Sequence, residues 1–143
     1  MNQNTFQRIL PQVTELNQHF WSGGEDGKLH LLQCRDCKKH VHPPLPICNR
    51  CRSRNLEVVT VSGKAQVASF TINHQPWFPG LAVPYCVAIV ELNEEAGLRL
   101  TTNIVHCAPE EVRIGMPVCV TFEQHEDVWL PMFEPDTNTT CGE

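Results

Sequence analysis

The chain has 143 residues and a formal net charge of −5, enough for one ordinary domain or two small units sharing a core. Net acidity disfavours nucleic acid as the main partner. No apolar run approaches a membrane span, and the polar N-terminus lacks the apolar segment of a signal peptide. We therefore expect a cytoplasmic protein with neither a membrane nor a nucleic acid partner.

The N-terminal segment, residues 1–24, is predicted to form a helical arm. A helix of two to three turns is expected after Pro11, because Val13, Leu16 and Phe20 fall at helical spacing and give one apolar stripe. So short a helix is not stable alone. The stripe therefore covers either the chain's own core or a partner protein.

Two Cys-x-x-Cys pairs mark residues 25–56 as a metal unit. Ten residues separate the pairs, which consist of Cys34, Cys37, Cys48 and Cys51. Two such turns facing each other place four thiolates in a tetrahedron, the geometry of a closed structural zinc site. Tetrahedral sulfur also suits iron, and disulfides or unliganded thiols are the remaining alternatives.

Two histidines, His40 and His42, lie between the cysteine pairs. Either has the chemistry of a metal ligand. Because a structural zinc site closes at four ligands and four cysteines are present, both are predicted to be ordinary loop residues.

The metal unit is basic within an acidic chain. Asp36 is its one acid between Cys34 and Arg54, against six basic residues: Arg35, Lys38, Lys39, Arg50, Arg52 and Arg54. Two interpretations stay open. The cations offset the double negative charge of a zinc held by four thiolates, or they form an anion site for the phosphates of a cofactor.

Residues 57–135 are predicted to be all-β. The expected strands are 58–73, bent at Ser62-Gly63, then 85–93, 98–105, 118–124 and 129–133, with one helical turn within 108–114. Five strands with a helix between the third and fourth indicate an OB-fold barrel. Residues 136–143 are expected to be a loose polar tail.

The loop from Asn73 to Pro84 is rich in proline and large apolar groups. Two interpretations of Trp77 and Phe78 remain. They line a partner surface, since aromatic side chains are favoured interface anchors, or they cap one end of the barrel.

No catalytic constellation is evident. His106 and Cys107 are adjacent, but neighbours on a strand point to opposite faces. Cys86 and Cys119 lie in apolar strands and are expected to be small core residues. With Cys107 and Cys141 they are predicted to be free thiols in a reducing setting. No catalytic residue is predicted, because no nucleophile–base pair can be identified.

With these elements in view, the chain resembles the zinc-ribbon and OB-fold proteins associated with acyl-CoA metabolism, catalogued as domain of unknown function thirty-five. The resemblance covers residues 20–135. The matching residues are Phe20-Trp21, Gly27-Lys28-Leu29, the two cysteine pairs, Pro43-Pro44, Ser62-Gly63-Lys64-Ala65, Pro84-Tyr85, residues 87–92, Arg113-Ile114-Gly115-Met116-Pro117-Val118, and Leu130-Pro131 with Phe133.

The resemblance implies a mainly β fold with a short N-terminal helical arm, a rubredoxin-like zinc ribbon and a C-terminal five-stranded OB-fold barrel. It implies a non-catalytic accessory subunit that completes a thiolase-like enzyme, or an aldolase or hydratase. The candidate partner surfaces, residues 1–24 and 73–84, come from the apolar stripe and the aromatic loop of this sequence. The resemblance also implies help in holding acyl-CoA, and the candidate contacts to the CoA phosphates are Arg35, Lys38, Arg52 and Arg54. The family often has glycine after the second cysteine of a pair, where this chain has Lys38 and Arg52.

Two alternatives are weighed against this role. A single-stranded nucleic-acid-binding OB module needs a basic groove, yet the barrel half has only Lys64, Arg99 and Arg113 as Lys or Arg cations. A stand-alone acyl-CoA-binding protein is the other.

Overall fold

A computed structural model describes residues 8–136 of the protein. Predictions for residues 1–7 and 137–143, including Cys141, lie outside it. The elements are helix α1 (Gln18–Trp21), a 3-10 turn (Gly23–Asp26), β1 (Leu29–Cys34), β2 (His40–Val41), β3 (Leu56–Val61), β4 (Lys64–Asn73), β5 (Tyr85–Leu92), β6 (Arg99–Ile104), a second 3-10 turn (Pro109–Glu111), β7 (Pro117–His125) and β8 (Val128–Pro135). Within the described residues, no helix is long and apolar enough to cross a membrane.

The first sheet belongs to the cysteine-rich unit and has the order β2-β1-β3, antiparallel throughout. Its apolar side chains form a small core of their own, made of Leu32, Cys34, Val41 and Cys48. A core of this size buries little apolar area, so a metal is the expected source of additional stability.

The second sheet is a closed five-stranded barrel of order β4-β5-β6-β8-β7. Burial alternates along β5, whose Cys86, Ala88, Val90 and Leu92 point inward, as expected for a strand with one face on a core. The second 3-10 turn lies between β6 and β7. The mainly β fold with a ribbon and an OB-type barrel is therefore confirmed.

The junction between the two sheets lies at Gly63. Its φ is +79°, and a Cβ there would lie 2.4 Å from Cγ1 of Val120, so only glycine fits without displacement. The sequence predicted one bent strand from residue 58 to 73 within the barrel. Instead, β3 pairs with β1 in the ribbon sheet and β4 enters the barrel, because the chain changes partners at this bend.

The arm is less helical than predicted, since α1 has only four residues. The main-chain N–H of Thr14 donates to Oδ1 of Asn17, and that of Asn17 donates to Oγ1 of Thr14. These reciprocal bonds satisfy the N–H groups of Thr14 and Asn17 with side-chain oxygens, ahead of the helix that begins at Gln18. Phe20 is buried in the main core, whereas Leu16 is 40% exposed.

Candidate metal centre and partner surface

The four cysteines converge at the tip of the ribbon. Their sulfur atoms all lie within 4.8 Å of one another, with 3.5 Å between Cys34 and Cys51 and 3.6 Å between Cys37 and Cys48. A zinc–sulfur bond is about 2.3 Å, so sulfurs in a zinc tetrahedron are about 3.8 Å apart. The donor set and its spacing therefore fit a tetrahedral metal.

Each cysteine pair lies on a tight turn. The N–H of Lys38 donates to the Cys34 carbonyl at 3.0 Å, and that of Arg52 donates to the Cys48 carbonyl at 2.9 Å. The N–H of Arg50 also points at the Cys48 sulfur, 3.4 Å away. Donors aimed at a sulfur stabilise its thiolate form.

The thiols of the cluster differ in acidity. Hydrogen bonds from the backbone N–H groups of Cys51 and Arg50 lower the pKa of Cys48 to about 6. The N–H of Ser53 acts in the same direction on Cys51, but contacts with the other sulfurs, first that of Cys34, outweigh it and raise its pKa to about 12. Four thiolates this close repel one another, so full ionisation needs a cation among them.

Lys38 and Arg52 occupy the positions where the resembling family often has glycine. Both have left-handed backbone conformations, with φ of +69° and +64°. An L side chain is strained there. The tight turns form in this chain despite the larger residues.

Asp36 joins the two turns. Its carboxylate accepts hydrogen bonds from the Ser53 hydroxyl and, at 3.4 Å, from the Asn55 amide. These bonds, with the Ser53 bond the strongest influence, lower the pKa of Asp36. The acid therefore stays ionised near neutral pH and holds the cysteine turns together.

Neither histidine of the hairpin lies in the cysteine cluster. The His40 ring and main-chain N–H contact Glu95. His42 packs against Phe20 with ring centroids 4.7 Å apart. Burial, followed by the nearby His19, lowers the pKa of His42 to about 4. The described residues thus place both histidines in structural contacts outside the cysteine cluster, as predicted, although His40 lies in β2 rather than in a loop.

The basic residues proposed for CoA lie on the ribbon. All four are exposed, and Arg35 is also paired with Glu57 at 3.3 Å. None of the four lines the clefts described below. Their contact with CoA phosphates stays a prediction.

The aromatic loop presents its large side chains to solvent. Trp77 is 66% exposed and Phe78 48% exposed, and Nε1 of Trp77 donates to Oδ1 of Asn73 at 3.0 Å. Trp77 therefore does not fill the end of the barrel. Exposed apolar groups of this size mark interaction surfaces.

A cleft of 460 Å³ opens beside this loop. The arm contributes Arg8, whose Nε donates to Glu123 of β7 at 2.9 Å, and Glu123 also contacts the His125 ring. Partial burial raises the pKa of Glu123, but the bonds from His125 and Arg8 outweigh it and lower the pKa. Sequence reasoning missed this group. The spacing of Glu123 and His125, two apart on one strand face, is the signal that predicts their proximity.

A second cleft, of 480 Å³, lies between the arm, the ribbon hairpin and β6, and Leu16, Phe20, His42 and Arg99 contribute to its walls. It shows that the arm packs between both sheets.

The adjacent His106 and Cys107 do not form a pair. Nδ1 of His106 lies 2.7 Å from Oε1 of Glu134. Cys107 is half-buried, and burial raises the pKa of its thiol. Cys86 and Cys119 are buried, which confirms them as core residues. A neutral thiol without a base is a poor nucleophile.

The chain matches two family models that meet at the ribbon–barrel junction. Residues 21–57 match "ChsH2, rubredoxin-like zinc ribbon domain", and residues 58–123 match "ChsH2, C-terminal OB-fold domain". Together the two matches cover more than half of the chain. The ribbon match agrees with the four-cysteine geometry and supports structural zinc.

The chain is also similar in sequence to several curated proteins. A "DUF35 domain-containing scaffold protein" of Pyrococcus furiosus is 38% identical over 115 residues, 75% of either chain. A "probable enoyl-CoA hydratase alpha subunit" of Thermomonospora curvata is 37% identical over 129 residues. A "3-oxo-4,17-pregnadiene-20-carboxyl-CoA hydratase alpha subunit" of Mycobacterium tuberculosis is 36% identical over 128. The last two matches cover 90% of this chain but 40% of each relative.

The chain also superposes on solved structures of DUF35 proteins. A chain of the structure described as "Ltp2-ChsH2(DUF35) aldolase" superposes with a TM-score of 0.80 at 36% identity, over 90% of this chain and all of that one. A DUF35 protein of unknown function from Sulfolobus solfataricus, at 20% identity and a TM-score of 0.62 over 85% of this chain and 86% of that one, shares the fold. The chain belongs to the DUF35 family, whose ChsH2-type members combine this zinc ribbon with this barrel.

Proposed function

We propose that the chain is a non-catalytic accessory subunit that binds and completes an acyl-CoA enzyme of the aldolase, hydratase or thiolase type. The observation that carries the proposal is the superposition, at 36% identity over 90% of this chain and all of the other, on a chain of an aldolase described with its DUF35 component. The hydratase subunit names of two relatives support the same class of partner. We further propose that the partner has a thiolase fold.

Two surfaces suit this role. The loop from Asn73 to Pro84 exposes Trp77 and Phe78, and the arm exposes Leu16. An indole that is two thirds exposed adds little to the fold but buries a large apolar area when a partner covers it. We propose that the partner enzyme covers this loop and the arm.

Co-purification from the native source tests the proposal, followed by affinity measurement with the enzyme recovered. Trp77→Ala is expected to weaken binding about thirtyfold, as truncation of an aromatic anchor does, and Leu16→Ala is expected to weaken it less. Ile114→Ala is the matched control, because Ile114 is 71% exposed and lies outside both segments.

All three variants should have the melting temperature of the wild type. If Trp77→Ala and Leu16→Ala both bind normally, the interface lies elsewhere. If no acyl-CoA enzyme co-purifies in stoichiometric amount, the accessory role itself fails. The fold of the recovered enzyme decides between a thiolase and the other classes.

We also propose that the ribbon cations contact the phosphates of CoA held by the partner. Lys38, Arg52 and Arg54 are exposed, whereas the charge of Arg35 is offset by Glu57. In the complex, Arg52→Ala should lower CoA affinity more than Arg35→Ala does. The difference should shrink at high salt because exposed charges are screened. Equal affinities at low salt would exclude a ribbon contact.

A further inference from the structure

The cleft beside the aromatic loop has the dimensions of a ligand site. Its volume of 460 Å³ falls within the range of small-molecule pockets. The apolar part of its lining comes from the loop and from the end of β6 with the residue that follows it, and includes Leu81, Ala82, Ile104 and Val105. A cleft of this kind favours an aliphatic or flat apolar group over a polar one.

One polar side chain that lines the cleft has no hydrogen-bond partner among the described residues. The hydroxyl of Tyr85, at the start of β5, makes no hydrogen bond within residues 8–136. The neighbouring Asn103 is held in place, because its Nδ2 donates to the Cys86 carbonyl at 2.9 Å. Tyr85 can therefore donate to a ligand acceptor next to the apolar walls.

The charged residues at the cleft neutralise one another. Arg8 donates to Glu123 at 2.9 Å, and the His125 ring contacts the same carboxylate. Arg8 has an ionised partner already, so the cleft offers no uncompensated cation from the described residues. An anionic ligand head would lose hydration here without gaining a free counter-charge.

We propose that this cleft binds the acyl chain of a thioester, with the carbonyl oxygen accepting a hydrogen bond from Tyr85. The proposal rests on the proposed function for its substrate class and adds where the acyl group lies on this chain. An acyl group can reach the cleft as a neutral thioester or as a free carboxylate. The neutralised charges favour the thioester.

Calorimetric titration of the full chain with two small probes tests the ligand chemistry. The probes are the octanoyl thioester of N-acetylcysteamine, which carries no phosphate, and octanoate. The thioester is expected to bind at least about tenfold more tightly. Affinity should rise about fourfold per methylene from the butyryl to the octanoyl thioester, because each buried methylene adds apolar transfer free energy. Equal affinity for octanoate, or no thioester binding, would overturn the proposal.

Two neighbouring loop residues give a matched pair of variants. Ala82 lines the cleft, whereas Val83 does not, and both are exposed. Ala82→Phe should fill the cleft and reduce thioester affinity at least about tenfold, and Val83→Phe should bind as the wild type does. Equal loss in both, or in neither, contradicts binding in this cleft.

Tyr85→Phe tests the hydrogen bond separately. It should reduce thioester affinity about fivefold while leaving the chain-length dependence unchanged. An unchanged affinity would remove Tyr85 from the proposal. Melting curves for all variants exclude unfolding as the cause.

Failure of the acyl-site proposal can be distinguished from failure of the proposed function. Thioester binding is measured on this chain alone, and partner binding is measured by co-purification and by Trp77→Ala. Partner binding with no thioester affinity refutes the acyl site and leaves the accessory role intact. Thioester affinity without any partner supports a stand-alone acyl-binding protein.

Discussion

Glu95 of the barrel holds His40 of the ribbon through two contacts from one carboxylate oxygen. Its Oε1 accepts the main-chain N–H of His40 at 3.0 Å and lies 3.0 Å from Nδ1 of the same residue. Its Oε2 lies 3.3 Å from the ammonium group of Lys39. The turn between β5 and β6 thereby fixes the ribbon hairpin against the barrel.

We expect Glu95→Gln to lower the free energy of unfolding by about 1–2 kcal/mol at pH 7, because it removes the ionised acceptor. Partial burial raises the pKa of Glu95, but the bonds from His40 and Lys39 outweigh it, and the pKa is lowered from 4.5. The contribution is thus complete above pH 4.5 and is lost as pH falls through the lower folded pKa.

Denaturant unfolding of Glu95→Gln and wild type at pH 7, where the metal stays bound, measures this effect. Glu110→Gln is the matched control, because Glu110 is exposed in the second 3-10 turn. Equal free energies of unfolding for Glu95→Gln and wild type at pH 7 would contradict the mechanism.

We predict one zinc ion per chain, held by Cys34, Cys37, Cys48 and Cys51. Cys48→Ser should lose the metal and unfold the ribbon, whose own core is small, since metal binding supplies folding free energy in such units. Elemental analysis of protein produced without added iron gives the stoichiometry. Cys107→Ser is the control and should keep one zinc. Full metal content in Cys48→Ser would refute the assignment.

The buried His42 should make the protein less stable in mild acid. Burial and the nearby His19 lower its pKa from 6.5 to about 4, so the unfolded chain binds a proton that the folded chain does not. Stability is complete above pH 6.5 and falls with pH towards 4, by up to about 3 kcal/mol at the end of that window.

His42→Phe should flatten this decline, because the new ring can still pack on Phe20 but does not titrate. Thermal unfolding at steps between pH 7.5 and pH 5 tests it while avoiding acid release of metal. His74→Gln is the control, since His74 is exposed. A His42→Phe profile as steep as that of wild type would assign the decline to other groups.

Glycine at the two strained turn positions should stabilise the ribbon. Lys38 and Arg52 have left-handed φ values, where a side chain costs about 1–2 kcal/mol. Glycine relieves that strain but adds about 0.5–1 kcal/mol of unfolded-state entropy. Lys38→Gly should therefore raise the free energy of unfolding by about 0.5–1 kcal/mol. Arg50→Gly is the control and should lower it. A lower melting temperature for Lys38→Gly would contradict this account.

The sequence by itself determined the local chemistry. Paired cysteines three residues apart predict a tight turn wherever they occur, so the cluster from Cys34 to Cys51 was foreseeable. The alternation along β5 and the glycine at position 63 also act locally. Each of these signals depends only on residues that are close together in the chain, so the sequence alone is enough to recognise it.

Only the tertiary structure decided which distant residues meet. Residues 57–61 have strand character, but their pairing with β1 in the ribbon depends on the chain changing sheets at Gly63. The arm helix has only four residues, and the bonds between Thr14 and Asn17 that precede it are a geometry that apolar periodicity does not contain. Arg8 and Glu123 are 115 residues apart in sequence and 2.9 Å apart in space. Such contacts arise when a barrel closes, because closure brings together residues whose spacing in the chain carries no periodic signal.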